Sequence, residues 1–141
     1  MPPSKDFRNL LRSMARLRAD LITVLEVEAE NHFAKNFELE AYVDATPQDW
    51  PDRKDQDKSR KLLVSSGDLK KAATSARRSG KGVVFVFNQV YARVHNDGLQ
   101  AGRGSGFKMP RRRFIGPSVR LNERLDAKFK KVITQHLNTN L

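Results

Sequence analysis

The chain contains no cysteine. Disulfides and thiolate metal sites are excluded, and that usage suits a reducing compartment. Long apolar runs are also missing. The longest purely apolar stretch, Val83–Phe87, is five residues, where a membrane-spanning helix needs about 20. The opening residues, Met1–Phe7, lack the apolar core of a secretion signal. No membrane partner is expected. Histidine is scarce, with three in the chain. His95 and Asp97 are the nearest approach to a metal site, and two ligands fall short of the three or four one needs. A hydrogen bond from His95 to nearby backbone, ending a helical turn, accounts for it structurally. The G-x-S-x-G setting of a nucleophilic serine is absent around Ser65 and Ser66, and the GRGSG stretch lacks the GK[ST] ending of a phosphate loop. No catalytic residue, metal or cofactor is expected, and the chain reads as a non-enzyme.

Negative charge is the other shortage. Lys and Arg number 27 against 16 Asp and Glu, a net charge of +11. Residues 37–52 carry five acids and no base, residues 53–81 ten bases and three acids, and residues 101–131 ten bases and two acids. Two basic blocks behind an acidic one suit a polyanion or an acidic protein face, including another copy of the chain. Nucleic-acid binding is the alternative function, with Phe107 and Phe114 flanking the arginines. No recognition module supports it: the chain has no RNP strand, GXXG clamp, zinc-finger spacing or helix-turn-helix.

At 141 residues the chain is expected to form one domain, 1–141. Ser4 is placed to cap a helix running to about Asn36. Phe7, Leu10, Leu11, Met14, Leu17, Leu21, Leu25, Ala29 and Phe33 make its apolar stripe. Such a helix outruns a compact domain, whose diameter at this length is near 37 Å, so a break or a neighbouring subunit is expected. Residues 37–61 read as a polar connector tethered by Trp50 alone. Leu62–Val64 leads to a turn at Gly67 and a short helix carrying Leu69, with Asp68 as its cap. Thr74–Arg78 reads as a weak strand, and residues 78–82 as a hairpin loop whose glycines supply positive φ. Val83–Phe87 does not alternate, which predicts a strand covered on both faces. Tyr91–Val94 reads as a helical turn with its exit at Asp97-Gly98. Residues 99–109 read as a flexible glycine-rich loop. Pro110 and Pro117 bracket an extended segment in which Arg111, Arg112 and Arg113 point outward while Phe114 and Ile115 anchor the base. Ser118 caps a final helix with Leu121, Leu125, Phe129, Val132, Ile133 and Leu137 on its apolar face. The expected fold is α+β: a long N-terminal helix, a small antiparallel sheet with short helical turns, and a C-terminal helix packed on the sheet.

Three blocks together resemble the phage virion-morphogenesis family, the tail-completion proteins of Mu-like and P2-like phages. They are Leu62–Leu69 (LLVSSGDL), Tyr91–Gly98 (YARVHNDG) and Pro110–Ser118 (PRRRFIGPS). They are similar to that family's L-L-x-x-[ST]-G-x-L, Y-A-x-x-H-x-x-G and P-x-R-x-F-[LI]-G-x-S patterns. Gly67, Leu69, Tyr91, His95, Gly98, Pro110 and Gly116 fall on the patterned positions. Trp50-Pro51 stands where the family tends to carry a tryptophan. The resemblance implies a structural, neck-like protein, made in the bacterial host cytoplasm and placed at the head–tail junction of the virion. It implies a homo-oligomeric ring docked on connector, neck or tail proteins, with transient contact to DNA possible as it passes. Arg103, Lys108, Arg111, Arg112, Arg113 and Phe114 are the expected partner-facing residues.

Overall fold

Ser4 opens the first helix as the sequence predicts. Its Oγ accepts the Phe7 N–H at 3.2 Å, and Asp6 sits in the first turn, where the helix dipole favours an acid. In the computed structural model, which describes residues 1–54, 59–104 and 106–140, this helix (α1) spans Lys5–Leu39. Residues 55–58 of the connector, Ser105 of the glycine loop and Leu141 lie outside the described residues. Thirty-five residues at 1.5 Å each make α1 about 52 Å long. Glu40 ends it in the left-handed conformation, φ 51°. Burial divides the helix: no residue before Glu28 is buried, whereas Glu28, Ala29, His32, Phe33, Asn36 and Phe37 are.

The elements that follow gather around the buried end. They are β1 (Ala41–Val43), β2 (Pro47–Asp49), α2 (Asp68–Ala73), β3 (Arg77–Ser79), β4 (Gly82–Val84), α3 (Tyr91–Asp97), β5 (Gln100–Ala101), β6 (Phe107–Lys108) and α4 (Val119–Asn140). The fold is α+β, and among the described residues the strands form three separate antiparallel pairs, β1–β2, β3–β4 and β5–β6. A lone two-stranded ribbon is marginal in water, so each leans on helix or loop. The β3–β4 pair is fastened to α1: Arg78 bonds Glu26 and Thr23, the Ala76 N–H donates to Glu30, and Gly82 lies against Leu25. The core joins Ala29, Phe33 and Phe37 to Trp50, Leu62, Leu69, Ala73, Ala92, Phe114, Leu121 and Leu125. Helix α4 runs antiparallel along α1. Ser13 Oγ meets His136 Nε2 at 2.8 Å near one end, and Lys128 and Arg124 meet the Glu28 carboxylate at 2.8 and 3.8 Å near the other. It touches the β1–β2 ribbon through its first turn, where Asp44 Oδ1 accepts the Val119 N–H at 2.8 Å.

Several sequence expectations are corrected. The stretch 37–61 is not a plain connector: α1 continues to Leu39, and residues 41–49 fold back as a ribbon whose Ala41, Tyr42 and Val43 are all buried. Trp50 is buried, as expected of a tether, but it is one of several. Pairing along Val83–Phe87 stops at Val84, and burial alternates. Phe85 and Phe87 turn inward onto Phe33 and Phe114, while Val84 and Val86 stay exposed. Gly80 and Gly82 do not use positive φ. Gly67, not Asp68, caps α2. The 99–109 loop is a short ribbon, closed by Met109 N–H donating to Leu99 O at 3.0 Å.

Candidate functional site

The segment Pro110–Ser118 is a strap, and its backbone is held from three sides. From α3, the Asn96 side chain accepts the Phe114 and Ile115 N–H groups at 3.0 and 3.2 Å, and His95 O accepts the Arg112 N–H at 2.8 Å. From α1, Asn36 Nδ2 donates to Phe114 O at 3.0 Å. From the β1–β2 ribbon the Tyr42 hydroxyl donates to Pro117 O, and from the residue just after it Trp50 Nε1 donates to Arg113 O at 2.7 Å. An extended segment has no hydrogen-bonding partner within itself, so side-chain amides and rings satisfy it instead. Phe114 is buried between Phe37 and Phe87, with ring centroids at 5.6 and 5.5 Å.

A second polar cluster locks α1 to the start of α4. Val43 O accepts from His32 Nε2 at 3.0 Å and from Ser118 Oγ at 2.7 Å. Asn36 Oδ1 accepts the Val43 N–H at 3.0 Å, and Ser118 Oγ accepts the Leu121 N–H at 3.2 Å as the α4 cap. Burial holds His32 below the ordinary imidazole pKa, and the Arg124 and Arg120 charges act in the same direction against its hydrogen bond. His95 is lowered by burial and then by Arg112. Its Nδ1 is buried without a hydrogen-bond partner.

The three strap arginines part company. Arg111 is exposed, as are Arg103 and Lys108 on the β5–β6 ribbon. Arg112 is 6% exposed. Its Nε and Nη2 donate to Pro51 O and Asp52 O at 2.8 and 2.9 Å, so it staples the strap to the segment after Trp50. Burial, then the Arg53 charge, pulls its pKa below the usual guanidinium value. Arg113 lies over the Tyr42 ring, 4.5 Å from the centroid. The expected outward hook of three arginines is therefore corrected to one, Arg111, with Arg103 and Lys108 beside it in sequence. Phe114, expected at a partner surface, is core.

The patterned residues serve this frame. Gly98 ends α3 at φ 67°, and a Cβ there would lie 2.9 Å from Arg111 Cβ. Only glycine lets α3 and the strap come so close. A Cβ on Gly116 would meet the Arg113 guanidinium at 2.3 Å. Leu69 is in the core, Gly67 caps its helix, the Tyr91 ring edges His95 at 6.0 Å, and Pro110 begins the strap. Among the described residues no three His, Cys, Asp or Glu side chains are grouped to hold a metal ion, and no helix is long and apolar enough to cross a membrane.

Sequence reasoning missed His32, Asn36, Tyr42 and Asn96. The signal was present for two of them, because His32 and Asn36 interrupt the inward stripe between Ala29, Phe33 and Phe37. It missed the Ser13–His136 contact as well, since no spacing links positions so far apart. Comparison with protein-family models, with curated proteins and with solved structures finds no match.

Proposed function

We propose that the chain is a structural component of phage particle assembly, acting in tail completion or head–tail joining. The observation that carries this reading is the convergence of the three sequence blocks. Leu62 and Leu69, Ala92, and Phe114 come from different blocks and enter one core, and the second and third blocks are bonded directly to each other. Residues that look like a family signature thus build a frame. The frame presents Arg103, Lys108 and Arg111 outward on a short ribbon and the start of the strap. In this reading the chain is made in the host cytoplasm and self-associates into a ring at the head–tail junction. Its exposed cations meet carboxylates of a connector, neck or tail protein.

The test is replacement of Arg103, Lys108 and Arg111 together by alanine in the phage or prophage that encodes the chain. The variant is expected to fold normally and to leave heads and tails unjoined. A normal yield of complete particles overturns the reading. Tight DNA binding by the wild-type chain, with a steep salt slope and no assembly defect in the variant, would favour the nucleic-acid alternative instead.

A further inference from the structure

The exposed half of α1 and the end of α4 form a two-helix handle, and its flanks differ. One flank is a crevice of mixed polarity, lined by Arg16, Asp20, Val24, Val132, Gln135 and His136, among others. At 100° per residue, Leu10 and Leu17 of α1 and Ile133 and Leu137 of α4 fall on the opposite flank. Phe7, Leu11 and Met14 continue that apolar face around α1. Phe7, Leu10, Leu11, Met14, Ile133 and Leu137 are all exposed, Met14 most among them at 57%. At about half exposure each they present on the order of 600 Å², the upper limit of the largest patch on an ordinary monomer. Toward the body the same stripe is closed by the β3–β4 ribbon, where a Cβ added at Gly82 would lie 3.6 Å from Leu25 Cδ2.

We propose that this face is completed by the same face of a second copy, antiparallel, to give a four-helix bundle. The free stripe runs from Phe7 to the half-buried Leu21, so its midpoint is Met14. A two-fold axis there sets Phe7 against the partner's Leu21 and Leu11 against the partner's Leu17. The α4 helices give the same axis independently. The Ser13–His136 contact puts α4 residue 135 level with Met14, and residue 135 is the midpoint of Ile133 and Leu137. One axis therefore pairs both apolar sets apart from Leu10, which falls against the partner's Arg18. The pairing also places both α4 helices on the same side of the α1 pair, which closes a square bundle. Arg8, Arg12 and Arg16 project from the far side of α1, so like charges are not forced together. A parallel pair would stack Arg18 on Arg18 and bring two bodies to one level. An isologous contact of this kind closes on itself. It does not rest on the phage reading, whose test is made at Arg103, Lys108 and Arg111.

The absence of native cysteine makes the test clean. Single variants Met14→Cys, Arg12→Cys and Arg18→Cys are oxidised at high micromolar concentration, beside sedimentation of the wild type and of a Leu11→Asp/Met14→Asp double variant. The proposal expects a disulfide-linked pair from Met14→Cys and at least tenfold less from the other two. It expects wild-type mass at an even multiple of the chain, halved in the double variant with unchanged circular dichroism. The Arg103/Lys108/Arg111 alanine variant carrying Met14→Cys should still cross-link, whatever its effect on particles. A wild-type chain that sediments singly, or cross-linking of Arg18→Cys equal to that of Met14→Cys, overturns the proposal. So does a single chain that binds anionic vesicles through this face instead of pairing.

Discussion

Phe7 and Phe33 lie on the same stripe of the same helix, yet one is 50% exposed and the other 5%. Periodicity treats them alike. What separates them is what the rest of the chain brings to each end of α1. Around Phe33 come Phe85 from the chain after β4, the strap and a cluster of buried polar side chains that includes His32, Asn36 and Ser118. Phe7 is left half exposed. The body end is thus specified many times over, by packing and by directional hydrogen bonds. The handle has helix propensity, one capping serine and a neighbouring helix. Hydrophobic burial, which supplies most of the stability of a helix in a protein, is concentrated in the body and left incomplete in the handle.

That contrast sets an order of expected damage. Phe114→Ala should cost about 3–5 kcal/mol in chemical denaturation, since it opens a cavity between Phe37 and Phe87. Asn36→Ala should cost about 2–4 kcal/mol, because it strands the Val43 N–H and the Phe114 carbonyl in a buried setting. A cost below about 1 kcal/mol for either would mean that the strap is not what organises the body. Acid should act on the body next. His32 and His95 both have folded pKa values below their unfolded ones, so the unfolded chain takes up protons first. Stability is then full above about pH 6.5 and falls as pH drops below it, by up to about 1.4 kcal/mol per unit for each histidine. His32→Gln should flatten that slope, and an unchanged slope would remove His32 from the account. Smallest of all, Leu11→Asp should shift the stability of the separate chain by about 0.5 kcal/mol or less, although it abolishes pairing.

The same contrast explains what could be read from the sequence. Both long helices, their serine caps and the α+β class follow from three- and four-residue spacing and from Ser4 and Ser118, which are local signals. The overhang of α1 follows from its length. The β1–β2 ribbon was hidden because its outer strand, Pro47-Gln48-Asp49, is wholly exposed and gives no alternation. The Val83–Phe87 run misled for the opposite reason: valines at 84 and 86 remain on the surface, so apolar composition did not mean two buried faces. Arg112 and Arg111 are neighbours with the same side chain. Only the tertiary position of the Pro51 and Asp52 carbonyls decides that one is a staple and the other faces solvent. Asn96 looks like an ordinary turn residue until the strap is laid against it.

The claim that α1 has a finished half and an unfinished half is tested most directly by amide hydrogen exchange along the helix at two protein concentrations. The account predicts slow exchange for residues 28–37 at both. Residues 7–21 should exchange quickly in dilute solution and become protected at high concentration, as pairing covers them. Uniform protection along the whole helix that does not change with concentration would contradict it.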